Sequence, residues 1–122
     1  MMKSKESTIT EIRQGFLLRL PFADNGVLSG KRTYLLIGEE ENYIKLLNVS
    51  STKGKEHKLL YDSNEEIINY NPPFKVKSFL KLDSLYLVEK CTELNDCVLA
   101  RGKQLDENEF RRLVNLFEDY KR

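Results

Sequence analysis

Apolar residues in this chain come in short runs separated by turn formers, the signature of successive β-strands. Phe16-Leu17-Leu18-Arg19-Leu20 is the first run, and it stops at Pro21, which has no N–H to give a central ladder. Ala23-Asp24-Asn25-Gly26-Val27-Leu28-Ser29-Gly30 is rich in turn residues and predicts a loop. Residues 33–37 read as a strand apolar on both faces, and Glu39-Glu40-Glu41-Asn42 as the turn after it. Residues 43–49 give a third strand with Ile44, Leu46 and Asn48 on one face. Lys53-Gly54-Lys55 predicts a hairpin-like turn, and residues 57–61 a fourth strand. Residues 62–73 mix acidic, Asn and Pro residues and predict a long loop with a helical turn around 65–68. Residues 78–90 carry a strand broken near Asp83-Ser84, and residues 97–102 a last short strand.

The C-terminus changes period. Phe110, Leu113, Val114 and Phe117 recur at i, i+3, i+4 and i+7, an apolar stripe on one side of a helix. Asp106 is placed as N-cap with Glu109 three residues on, and Leu105 and Phe110 flank the cap as a hydrophobic staple. The expected fold is therefore mainly β with a C-terminal helix, that helix packed on a small, mostly antiparallel barrel. Nothing suggests a βαβ repeat.

Composition adds limits. At 122 residues the chain is one domain, 1–122, with residues 1–10 a polar N-terminal tail. Its 40% hydrophobic content suffices for a core. A formal charge of +1 gives no global signature of nucleic-acid binding, so any such contact has to be a local patch. The N-terminal third is modestly basic through Lys3, Lys5, Arg13, Arg19, Lys31 and Arg32. Two isolated cysteines, Cys91 and Cys97, and one histidine, His57, make no structural metal site, and no cofactor is expected. The first ten residues contain no apolar run of signal-peptide or membrane-span length, so the expected location is cytoplasmic, with no membrane partner.

Candidate chemistry sits in Gly30-Lys31-Arg32-Thr33-Tyr34-Leu35-Leu36-Ile37 and Leu46-Leu47-Asn48-Val49-Ser50-Ser51. An arginine opens one strand and hydroxyl residues close the next. The guanidinium is permanently charged and can hold two phosphate oxygens at once, and a hydroxyl beside it supplies a further donor. This order resembles the MazF/PemK family of toxin ribonucleases. Ile12-Arg13-Gln14-Gly15-Phe16 is similar to the family's opening strand, and Gly30-Lys31-Arg32-Thr33 to its G-x-R-P, with Thr33 where proline is usual. Leu47-Asn48-Val49-Ser50-Ser51 is similar to its strand ending in hydrophobic-Thr-Ser. Residues 78–86 and Gly102-Lys103-Gln104-Leu105-Asp106 are similar to its later strand and helix entry. The resemblance runs from Ile12 to Tyr120.

The resemblance implies an SH3-like barrel, a homodimer, a cognate antitoxin protein and a single-stranded RNA substrate cleaved without a metal. It assigns catalytic roles to Arg32 and Ser50 by position, and to Asp83 as general base by analogy with other branches of the family. Substrate contacts fall to Phe22, Lys31, Ser51 and Lys81, with the loop between Ala23 and Lys31 as a lid. Phe22 and Tyr34 are stacking platforms in that reading, although Tyr34 inside an apolar strand reads better as core. His57, in a lysine-rich turn, reads as surface. Two other functions share the barrel: a non-catalytic nucleic-acid-binding or regulatory module, and a gyrase-poisoning toxin of the CcdB type. An SH3-like domain binding Pro-rich ligands is harder to build without tryptophan.

Overall fold

A computed structural model describes residues 10–19 and 30–122. The polar tail, the strand end at Pro21, Phe22 and most of the expected lid lie outside the described residues.

The elements are β1 (Gly15–Leu18), β2 (Arg32–Glu39), β3 (Tyr43–Ser51), β4 (Asn64–Glu66), β5 (Ser78–Glu89) and α1 (Glu107–Tyr120). They form one antiparallel sheet in the order β1-β2-β3-β5-β4. Among the described residues no ladder joins β1 to β4, so the sheet is open. The outer edge of β1 is covered instead by residues 97–99. Leu17 N donates to Cys97 O at 2.9 Å, Leu99 N to Gly15 O at 2.8 Å, and Phe16 bridges Val98. Gly15 leaves room for Pro73 and Phe74, whose side chains would lie 2.9 Å from a Cβ there.

Period-two alternation sorts the strand residues onto two cores. Leu35, Leu47, Val49, Leu80 and Leu82 face Leu105, Leu113 and Phe117 of the helix segment. Tyr34, Leu36, Ile44 and Leu46 pack on the other face with Phe16, Leu18 and Leu94. Both cysteines are free and flank this second core, where burial pushes their thiols up. No described helix is long and apolar enough to cross a membrane.

Two expectations between β3 and β5 are corrected. Residues 57–61 do not form a strand: Glu56–Leu60 is a 3-10 turn with no buried residue. The fourth strand is Asn64–Glu66, inside the stretch expected to be loop with a helical turn. It pairs with β5 through Asn64↔Lys81, Glu65↔Leu80 and Glu66↔Phe79, so its ladder is decided by a partner outside local sequence. The expected last strand at 97–102 survives only as the Val98 bridge, after which Ala100–Gly102 turns tightly.

The helix starts as expected. The Asp106 carboxylate accepts from Glu109 N at 3.0 Å. Glu109 itself does not reach back to the cap. Its buried carboxylate accepts from Ile68 N at 2.7 Å and from Arg112 Nε and Nη2 at 2.8 and 2.6 Å. Arg112 also donates to Glu65 Oε2 at 2.7 Å and Glu66 O at 2.9 Å. One guanidinium thus ties α1 to β4, and its pKa is raised, chiefly by the Glu109 hydrogen bonds and against the effect of burial.

Candidate functional site

Sheet register brings the candidate residues together. Arg32 opens β2 opposite Leu18, and Thr33 pairs with Val49. Continuing that ladder by one residue sets Arg32 across from Ser50 on the same face. On the other side of β3 the register slips. Val49 pairs with Leu80 but Leu47 with Leu85, so the inserted residues of β5 bulge away around Asp83. They lean on the neighbouring edge, where Leu82 N donates to Ser63 O at 2.7 Å. The break expected near Asp83-Ser84 is therefore a change of register within one strand. The ladder before that change, Val49↔Leu80 and Ser50↔Phe79, sets Lys81 beside the end of β3.

Lys55 arrives by a turn. Lys55 N donates to Thr52 O at 2.8 Å, and Gly54 takes the left-handed conformation (φ 76°) that the third position of such a turn requires. Lys55 Nζ then reaches Ser50 Oγ at 3.1 Å. Arg32, Thr33, Asn48, Val49, Ser50, Ser51, Lys55 and Lys81 line a cavity of about 290 Å³. Asn48 is buried and fixes one wall by donating to Thr33 O at 3.0 Å.

The charged side chains among the described lining residues are all cations. Burial lowers the Lys81 pKa, repulsion from Lys58, Arg32 and Lys55 lowers it further, and Asp83 opposes this in part. Among the described residues no carboxylate belongs to the cavity lining. Such a site favours an anion, since a bound negative charge relieves repulsion among cations whose positions the sheet holds. Arg32 adds the planar fork that matches two phosphate oxygens.

Of the expected residues, Arg32, Ser50, Ser51 and Lys81 are thus brought together. Asp83 is not among the lining residues. It is exposed, accepts from Ser84 Oγ at 3.2 Å, and acts on the cavity only through its field on Lys81. Lys31 is exposed and also outside the lining, and its field falls on Cys97. His57 is exposed in the 3-10 turn. Lys55 and Asn48 were missed. The run Ser50-Ser51-Thr52-Lys53-Gly54-Lys55 held the signal for the first, a glycine turn returning a cation over a hydroxyl.

Tyr34 is core and not a platform: it is 0% exposed, with its ring edge-to-face against Tyr86 at 5.7 Å. Among the described residues its hydroxyl has no hydrogen-bond partner, and burial, then Tyr86, push its pKa up to about 12. An orphaned buried hydroxyl costs about 1–3 kcal/mol. Tyr34→Phe is therefore expected to raise the urea midpoint of unfolding or leave it unchanged. A lower midpoint would show that the hydroxyl has a stabilising partner.

No family model matches the chain, and no curated protein matches it either.

Proposed function

We propose that this chain is a metal-independent endoribonuclease that grips one phosphodiester of single-stranded RNA in the Arg32 cavity. The observation that carries the reading is the convergence of Arg32, Ser50, Lys55 and Lys81 on one cavity. The resemblance to MazF/PemK toxins supplies the rest of the proposal: a toxin that blocks translation by cutting mRNA, a homodimer, a cognate antitoxin, a cytoplasmic setting and an SH3-like closure of the sheet.

The reaction such a site suits is an internal transfer. The 2′ oxygen attacks the adjacent phosphorus and its proton passes to a base. The bond to the 5′ oxygen breaks, and that oxygen takes a proton, leaving a 2′,3′-cyclic phosphate and a 5′-OH. Arg32 and the Ser50 hydroxyl face the charge that builds on the non-bridging oxygens. Lys81, in the lining and with a lowered pKa, is better placed than Asp83 to move the proton.

A pH dependence follows with two opposite signs. A bound phosphate favours the Lys81 ammonium, so affinity falls as pH rises through the Lys81 pKa, starting below the ordinary 10.5. The rate at saturating RNA rises over the same region, because only the neutral amine accepts a proton. Lys81→Arg, charged throughout, is expected to flatten the binding trend and lower the rate. Titrations of affinity and single-turnover rate from neutral pH up to the ordinary lysine range would check both.

The test of the function is incubation of purified protein with a long single-stranded RNA in EDTA, followed by analysis of fragment ends. Discrete cuts ending in 2′,3′-cyclic phosphate support the reading. Binding without cleavage would favour a non-catalytic RNA-binding module, a reading that Asp83's place outside the cavity lining independently favours. No binding would move the reading to a gyrase poison or another partner.

A further inference from the structure

Most edges of the sheet are closed. Residues 97–99 cover β1, and β4 covers β5 from Phe79 to Lys81. Side chains of α1 cap the outer side of β4 in turn. Ile68 N donates to Glu109 Oε2 at 2.7 Å, and Arg112 Nη2 donates to Glu66 O at 2.9 Å. Past the change of register, β5 has β3 on one side and, among the described residues, no strand on the other.

The ladder shows which backbone groups this leaves over. Lys90 N donates to Asn42 O at 2.9 Å, directly across from it. Tyr86 and Val88 therefore turn their N–H and C=O toward β3, while Leu85, Leu87 and Glu89 turn theirs outward. The flanking side chains are apolar on both faces. Leu85 is 40% and Leu87 59% exposed on one face, and Tyr86 and Val88 are half-buried on the other. Proteins usually blunt such an edge with lysine, proline or a bulge. Ser84-Leu85-Tyr86-Leu87-Val88-Glu89 has neither lysine nor proline, and Leu85 to Glu89 pair with β3 without a further slip.

We propose that this edge pairs with the same edge of a second copy, antiparallel about a two-fold axis at Leu87, so that two sheets become one. A strand added here has to be extended and apolar on both faces, because it meets Leu85 and Leu87 on one and Tyr86 and Val88 on the other. The segment itself meets both conditions. Hydrogen bonding and charge then fix the register. Centred on Leu87, every outward residue is used: Leu87 bonds to its own copy, and Leu85 to the partner's Glu89. Leu87 packs on the partner's Leu87, and Tyr86 on the partner's Val88. Centred on Tyr86 instead, Asp83 would face the partner's Glu89, and like charges directly opposite destabilise a sheet. None of these residues lines the Arg32 cavity. The inference deepens the homodimer of the proposed function and rests on that part of the reading, not on its phosphodiester chemistry.

Sedimentation equilibrium of the purified chain is expected to give twice the mass of one chain. Leu87→Pro removes an N–H that the ladder with β3 does not use, a place where an edge strand tolerates proline. Leu85→Lys/Leu87→Lys changes only exposed positions and sets lysine 87 against its own copy. Both variants are expected to sediment as single chains with an unchanged circular dichroism spectrum. In a Cys91→Ser/Cys97→Ser background, Leu87→Cys is expected to form a disulfide between copies on oxidation with diamide. Residues bonded directly across an antiparallel ladder lie about 5.5 Å apart at Cα, within disulfide reach. Leu85→Cys, roughly 14 Å from its copy along the strands, is expected to stay uncross-linked. Wild type at single-chain mass at high concentration would overturn the interface and the homodimer together, and leave the Arg32 cavity to the cleavage test. A dimer that survives the lysine pair would overturn this interface alone. Cross-linking of Leu85→Cys in place of Leu87→Cys would overturn the register.

Discussion

Replacing Arg32 with alanine is expected to slow RNA cleavage at saturating substrate by about a hundredfold to a thousandfold, the usual cost of removing one donor aimed at developing charge. Arg32 stands across from Ser50 because the Thr33↔Val49 ladder continues, and it shares the cavity with Lys55 and Lys81. Removing it takes away the one planar fork among the described lining residues, and the lysines that remain are point charges. Arg32→Lys should recover part of the affinity and little of the rate, since charge returns without the fork. Single-turnover kinetics beside thermal melts would decide the matter. An alanine variant that cuts at the wild-type rate would remove the Arg32 cavity from the chemistry.

A large loss of stability is expected at Arg112→Met. Glu109 is only 6% exposed and depends on Arg112 for two of its hydrogen bonds. Removing the guanidinium strands that carboxylate, and it frees Glu65 Oε2 and Glu66 O as well. Breaking a fully buried pair costs about 3–5 kcal/mol. Arg112 and Glu65 are each about a third exposed, so water recovers part of this, and we expect about 2–3 kcal/mol. Adding Glu109→Gln should restore some of the loss, because the amide oxygen can still accept from Ile68 N while no charge is left unpaired. Urea midpoints with an unchanged slope would measure both steps. A loss under about 0.5 kcal/mol would mean that the link between α1 and β4 is solvated in solution.

Arg112 also separates what is local in this chain from what is not. Asp106, Glu109 and the stripe of Leu113 and Phe117 located α1, because caps and helical periodicity are written within a few neighbouring residues. The same holds for β2 and β3, whose apolar runs and the intervening Glu-rich turn are local signals. Arg32, Ser50 and Ser51 were legible for this reason: they sit at the ends of those two runs. Residues 57–66 were not. Leu59, Leu60 and Tyr61 look more strand-like than Asn64, Glu65 and Glu66, yet the latter form β4. Its ladder is made with β5, and Glu65 and Glu66 bond to Arg112, partners distant in sequence.

The cavity divides in the same way. That an arginine and a serine belong to adjacent strands follows from local pattern, and the chain by itself determined that much. That Lys81 joins them depends on the ladder of Ser50 and Val49 with Phe79 and Leu80, and that Lys55 joins them depends on the Gly54 turn. Both are consequences of how the sheet completes its ladders, because a strand's partners set which of its side chains face a given cavity. Tertiary structure alone decided that Arg32, Lys55 and Lys81 meet there, and that Asp83 is not in the lining.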